Sequence, residues 1–501
     1  MKSLILLLLP SVTALAADWP QYSGPAGNFA IPADAALSED AAATRLLWES
    51  EVRLGPGKLR SGGNNAPMPS VGVASPIIAG DLVLQAYLWP SGPQPATPPA
   101  KPGKSPLDHL VRADDCLVAV DSANGRTRWT FVAKEQGVNN VPDKRGGWGV
   151  TPAAADGRVF FLGSGGMLYG ISLADGKELW RVAIEPLHGE MMEQSKKMLA
   201  VSGAGRRPFK PMPGSLVIAG GVLVVPDFAD ADTGLLGIDP ATGRTIWKLP
   251  KAISSTATPT VWRDPEDKPL LLCGTATGTL NLIEPATGKL LWSKSGLGLL
   301  TYPLVANRAG LVMLDINPAA KKDLAHMACV AISRSGVEER WRLPDEPRFT
   351  SLRGSDGLGY LRTLPWGDDR FLRYGHSGEK DAARFLDVYN ARDGRLLAST
   401  RDLRPGWDAH YLPVGDRILA QYELGHWKCC LQWFRVDGGK IVPSGSMWDQ
   451  KDGASGYSVP FMQVPLDGRI VMRYFLGTYT QPGEHGGLRC YDLRATTQTS
   501  K

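Results

Sequence analysis

The sequence predicts an all-β chain: an eight-bladed β-propeller of four-stranded antiparallel blades, its ring closed by an N-terminal strand. Three observations lead there. A short motif recurs along the chain, and LLGIDPATGRTIWKL at 235–249 is a clear copy: an apolar strand, a turn closed by Gly243 and a strand carrying Trp247. In four copies the Trp stands four residues after the Gly, as Gly125/Trp129, Gly176/Trp180, Gly243/Trp247 and Gly288/Trp292. Ahead of each copy lies a pair of apolar, β-branched runs joined by a tight turn containing Gly or Asp. Repeats at such intervals mean stacked supersecondary units that share one body.

In chain order, Lys2, the apolar run Leu4–Leu9 and the small-residue site Ala14-Leu15-Ala16 read as a secretory signal over 1–16. The run is too short to span a bilayer, and no later segment is apolar for long enough. No Cys follows the cleavage site, so no lipid anchor is expected and the chain is assigned to the periplasm or the exterior. Residues 17–45 form an N-terminal extension, in which DWPQYSGPAGNF (18–29) is expected to wrap the surface of the body. LLWESEV (46–52) reads as a strand with Trp48 and no partner before it. Strand pairs follow at 75–87, 151–163, 214–228, 258–274, 302–316, 361–375, 410–423 and 459–475. Each pair supplies strands A and B of a unit, and the motif behind it supplies C and D; the copies at 329–343, 385–399 and 430–444 are weaker. The eighth unit, ending in LRCYDL (488–493), has no strand D of its own, and 46–52 can supply it, removing an open edge. The propeller therefore covers 46–494, with a tail at 495–501.

The motif's residue types have physical reasons. Gly reaches positive φ in the C–D turn without a Cβ penalty. A Trp on the outermost strand carries about 150–250 Å² of surface, and at the same place in successive units it would dock one unit on the next.

Bulk composition excludes several classes. With 501 residues, 43% hydrophobic and 21% charged, the chain is ordinary globular protein. A net charge of +5 with no dense Lys/Arg run argues against a nucleic-acid partner. Cys116, Cys329, Cys430 and Cys490 fall near the start of the same repeat strand in different units, too far apart for disulfides, so buried thiols are expected. A bond between the adjacent Cys429 and Cys430 would strain a strand.

The pattern x-x-[DE]-x-x-[TN]-G-x-x-x-W resembles the tryptophan-docking motif of the pyrroloquinoline quinone (PQQ) repeat. That repeat is shared by eight-bladed quinoprotein alcohol dehydrogenases and by the propeller of the outer-membrane assembly machinery. The resemblance covers residues 46–494, strong in units 1–4 and weak in units 6–8. DWPQYSGPAGNF is similar to the opening of secreted PQQ-like propellers of the planctomycete and verrucomicrobial type. The dehydrogenase branch implies PQQ, calcium and a vicinal disulfide beside the quinone. Cys429-Cys430 could be that pair, but it opens a strand C, where sister units also carry a Cys. The family's calcium-binding Glu and Asn and its catalytic Asp have no local match, and no C-x-x-C-H haem motif is present. PQQ and calcium are not the favoured reading.

Strand parity places the chemistry. In an A-B-C-D meander the B–C and D–A loops share one face, and the A–B and C–D turns share the other. All seven His fall on the first face: His109, His326, His376, His426 and His485 in B–C loops, His188 in a D–A loop and His410 where one enters strand A. Units 6–8 repeat a pattern at the end of strand B, Arg373-Tyr374-Gly375-His376, then Tyr422-Glu423-Leu424-Gly425-His426, then Arg473-Tyr474 with His485 beyond. Adjacent Arg and Tyr should face opposite sides of a blade, one lining a seam and the other nearing the rim of the central channel. Arg145, Trp148 and Trp427 lie on the same face, and Trp and Tyr offer flat apolar surfaces to sugar rings while Arg binds carboxylate. The bland account is that polar residues collect in long loops. The functional account is a funnel that binds a carbohydrate, neutral or anionic, or a partner protein. Its ligand-binding residues would be His485, Glu423, Tyr422, Trp427, Trp148, Arg145, Arg473 and Tyr474. The alternative is a polysaccharide lyase, in which Tyr374, His376, His410 or His426 takes the proton α to a uronate carboxylate neutralised by Arg373. A PQQ-dependent dehydrogenase is the third reading. No spacing specific to a metal site occurs.

Overall fold

The computed structural model describes residues 18–31, 38, 40–54, 74–91, 110–140, 150–200, 214–228, 232–316, 326–343, 363–376, 384–403, 409–424, 428–449, 464–466, 468–477 and 482–494. The expected signal segment lies outside them. The fold is all-β, with one α-helix, α1 (Leu187–Ala200), among the described residues. None of their helices is long and apolar enough to cross a membrane.

The strands pair as antiparallel meanders in the order the sequence repeats. Unit 1 is Ile77–Ala79, Leu82–Pro90, Leu110–Asp121 and Thr127–Asn140, and units 2, 3 and 4 form further four-stranded sheets. Unit 5 shows three strands, its strand A reduced to the bridge Ala306↔Val312. Units 6 and 7 share one eight-stranded sheet through a single parallel bridge, Ser399↔Lys440. The last three strands take their fourth from the N-terminus: β1 (Arg45–Glu49) runs antiparallel to Pro482–Asp492, Arg45 opposite Asp492 and Glu49 opposite Arg489. Two ion pairs tie this seam, Arg45–Asp492 at 2.9 Å and Arg489–Glu49 at 2.9 Å.

Each docking Trp does the same thing. The indole N–H of Trp129 donates to the Leu173 carbonyl in the C–D turn of unit 2 (2.9 Å), that of Trp180 to Pro240 of unit 3 (3.1 Å) and that of Trp247 to Pro285 of unit 4 (2.8 Å). Trp292 reaches Ser333 of unit 5 and Trp341 reaches Ala391 of unit 6. Trp48 of β1, in the sheet of the last unit, donates to Ser122 of unit 1 (2.9 Å). The turn Gly is required twice over. Gly243 has φ +75°, and a Cβ on it would lie 2.6 Å from the Trp180 ring. Only Trp48 and Trp247 of this series are buried; the others stay partly open along the outer wall. Strand D of unit 6 has no Trp, and there Trp366 of strand A donates to Gly415 of unit 7 instead.

One sequence expectation is corrected. Residues 18–29 do not simply wrap the surface: Trp19, Gln21, Tyr22, Ser23 and Phe29 are buried, and Asp18, Pro25 and Ala26 stay exposed. The segment crosses the first strands of four successive units. Trp19 exchanges backbone hydrogen bonds with Ile78 of unit 1, Ala154 of unit 2 donates to the Pro20 carbonyl, Ile218 of unit 3 to the Gln21 side chain and Val261 of unit 4 to the Gly27 carbonyl. Its aromatic residues share an apolar cluster with Val305 of unit 5, Leu364 of unit 6 and Leu412 of unit 7. Three large apolar groups within twelve residues need a core to enter, and the inner strands provide it.

Cys116, Cys273, Cys329 and Cys490 are buried thiols outside any disulfide, and burial raises each above its ordinary pKa. Cys430 is buried as well, and the side chain of Cys429 lies outside the described residues.

Candidate functional site

The B–C/D–A face is built from the ends of strands B and the starts of strands C, and carboxylates there stitch one unit to the next. Asp115, midway along strand C in unit 1, accepts from the Ser164 backbone N–H (2.9 Å) and hydroxyl (2.7 Å) in the B–C loop of unit 2. Burial lifts its pKa to about 6 in spite of these bonds. Asp232 of unit 3 does likewise for unit 4, accepting from the backbone N–H groups of Ala276 (2.5 Å) and Thr277 (3.2 Å). Between units 5 and 6 the partner is a side chain: Arg373 meets Asp315 at 3.2 Å, both buried. Burial pulls the Arg373 pKa down, but Asp315 more than offsets it and the guanidinium stays above its ordinary value. Two guanidinium groups lie over the Phe385 ring, Arg373 at 4.8 Å and Arg401 at 5.4 Å from its centroid, and Arg401 pairs with Asp387 at 2.5 Å.

The candidates named from the sequence distribute as follows. Arg373 faces unit 5, and Tyr374 on the other side packs against Tyr411 of unit 7, ring centroids 5.0 Å apart. They do face opposite sides of the blade. Both, however, line seams, so the expectation that one of them nears the channel rim is not met. His410 is fully buried opposite Gln421, and burial pushes its pKa down to about 3, so it stays a neutral imidazole. Arg473 is buried opposite Leu488, and burial lowers its pKa to about 9. His376 ends strand B of unit 6 opposite Arg384. Tyr422 and Glu423 stand opposite Cys430 and Cys429. Tyr474 stands opposite Gly487, and His485 lies in the strand Pro482–Asp492. For these five the backbone alone is described. His426, Trp427, Trp148 and Arg145 lie outside the described residues.

Sequence reasoning missed a cleft of about 650 Å³ on this face at the seam of units 3 and 4. It lies between the end of strand D in unit 3 (Leu249–Ala252) and the B–C loop and outer strands of unit 4, and its polar lining comes from Asp232, Lys251, Thr277, Thr279, Asn281 and Ser293. Asn281 is held by donating to the Ala252 carbonyl (2.9 Å) and accepting from the Ser293 hydroxyl (2.7 Å). The readable signal was Lys251: it stands four residues after Trp247, where the next unit has Gly296 four after Trp292. Helix α1 was also missed. Its Leu187 and Met191, spaced i, i+4, are buried, and His188 Nδ1 lies 2.8 Å from the Gly165 carbonyl.

A family model described as outer membrane protein assembly factor BamB matches residues 113–298. These are PQQ-like repeats. Across the chain, the fold is similar to that of a quinohemoprotein alcohol dehydrogenase from Comamonas testosteroni, at 11% identity and TM-score 0.51, covering 97% of this chain and 82% of that one. BamB from Moraxella catarrhalis is 14% identical over 62% of this chain and 78% of its own, with TM-score 0.39. No curated protein matches in sequence. PQQ-like repeats also serve proteins of unlike activity, so the cofactor must be tested on residues. A tricarboxylate quinone and its calcium ion would need clustered metal ligands and a free cation among the described residues. Among them no group of three or more His, Cys, Asp or Glu could hold a metal ion, and the buried cation Arg373 is already matched by Asp315.

Proposed function

We propose that the eight units close into a ring through β1, outside the cytoplasm, and that the ring binds a carbohydrate on its B–C/D–A face. The observation that carries this reading is the path of residues 18–29. By bonding to the inner strands of units 1–4 near their A–B turns, this segment fills the channel from the opposite end and leaves the B–C/D–A end for a ligand. Non-catalytic binding is favoured over a lyase because Arg373, Tyr374 and His410 are buried in packing between units. A uronate carboxylate would have to displace Asp315 to reach Arg373, leaving a buried carboxylate unpaired. A protein partner is the second reading, favoured by the assembly-factor family model that matches units 1–4.

The test is orientation. Protein immobilised through a single reactive thiol at exposed Ala123→Cys, in a C–D turn, is expected to bind members of a glycan panel. Protein immobilised through Thr277→Cys, in a B–C loop, is expected to lose them. Equal binding from both orientations would rule out this face, and binding of a protein but no glycan would favour the second reading.

A further inference from the structure

We infer that the cleft between units 3 and 4 is a binding site for a hydroxylated carboxylate of sugar-acid size. The inference rests on the carbohydrate reading above and assigns its chemistry. The first observation is backbone geometry. Lys251 has φ +51°, a left-handed conformation that costs a residue with a Cβ and costs Gly nothing. Glu135, at the same place in the strand-D bulge of unit 1, also has positive φ (+56°). Two units therefore turn left-handed at this bulge on a charged residue, and in unit 3 that residue carries an ammonium group and lines the cleft.

The second observation is the lining. Lys251 has no ion pair among the described residues, and it lines the same cleft as Asp232. The Asp232 carboxylate accepts two backbone N–H bonds and keeps lone pairs to spare. Thr277 and Thr279 are paired with Thr275 and Ser295, at 3.0 and 3.1 Å, and each hydroxyl retains further capacity. A cation and a carboxylate in one cleft, with hydroxyls between, select a ligand that is itself divided: one negative group and several hydroxyls. A phosphate dianion would meet Asp232 as repulsion, whereas a sugar acid offers its carboxylate to Lys251 and its hydroxyls to Asp232 and the threonines. The volume, about 650 Å³, is that of a small-molecule site.

Calorimetric titration with D-glucuronate and D-glucose tests it on the whole protein. Wild type is expected to bind glucuronate at least tenfold more tightly than glucose. Lys251→Gly should lose that preference yet unfold at the same or a higher temperature, because it removes the strain; a structural lysine would give the opposite sign. Lys251→Gln keeps the chain length and should also lose the preference. Equal affinity of Lys251→Gly and wild type for glucuronate, or no preference over glucose, overturns the assignment. If wild type and Lys251→Gly bind the same members of a glycan panel, the cleft fails while the carbohydrate reading stands. If wild type binds no saccharide, both fail.

Discussion

At the scale of the residue, the buried charges are structural stitches whose cost of removal is large. Taking one partner from a buried ion pair leaves an uncompensated charge, about 3–5 kcal/mol. Arg373→Ala should therefore lower the unfolding free energy measured in urea by an amount in that range, and Asp315→Leu/Arg373→Met should recover most of it. Recovery in the double variant would separate packing from any need for charge. Asp115 and His410 give stability opposite pH dependence. Asp115 holds its proton more tightly folded than unfolded, its pKa raised from 3.8 to about 6. Its contribution is complete below about pH 3.8 and is lost as pH rises through about 6. Asp115→Asn, which mimics the protonated form, should flatten the fall in Tm over that window. His410 has its pKa lowered from 6.5 to about 3, so its contribution is present above pH 6.5 and is lost as pH falls towards 3. Thermal melts of His410→Gln from pH 7 to pH 4 should show less loss than wild type.

At the scale of the element, the C–D turn and the preceding unit's Trp are one device. The turn needs positive φ, and the Trp needs the space a Cβ would fill. Gly221 offers the control: φ is +75° as at Gly243, but nothing lies within 4 Å of its would-be Cβ. Gly221→Ala should cost about 1 kcal/mol, the conformational part alone. Gly243→Ala should cost about 2–4 kcal/mol, because overpacking is added. Equal costs in chemical denaturation would mean that the Trp180 ring yields freely.

At the scale of the whole molecule, the N-terminus does two jobs. Residues 18–29 cross the inner strands, and β1 completes the sheet of the last unit, where hydrogen bonds from Arg494 and, against burial, from Arg45 hold the Asp492 carboxyl well below its ordinary pKa. If the ring is closed as proposed, Trp48 is one more docking Trp and its loss should resemble that of any other. Trp48→Ala and Trp247→Ala should each cost about 3–5 kcal/mol. A near-neutral Trp48→Ala would mean that the last unit is not docked on the first.

The sequence by itself determined the repeat and the four-stranded antiparallel units it builds. These are properties of local period and parity: Gly four residues before Trp, two apolar runs per turn, loops alternating between two ends. What the tertiary structure alone decided is which polar residues face each other across seams. Arg373 and Asp315 are 58 residues apart, and no local pattern marks them as a pair. The same holds for the lead-in: its Trp, Tyr and Phe announce burial, but the surface that receives them exists only once the inner strands of several units stand together. A conspicuous His drew the sequence reading to units 6–8, whereas burial had already used His410 inside the core. A polar cleft lies instead at the seam of units 3 and 4, where the docking motif is strong and where its lining comes from strands and a loop of two different units.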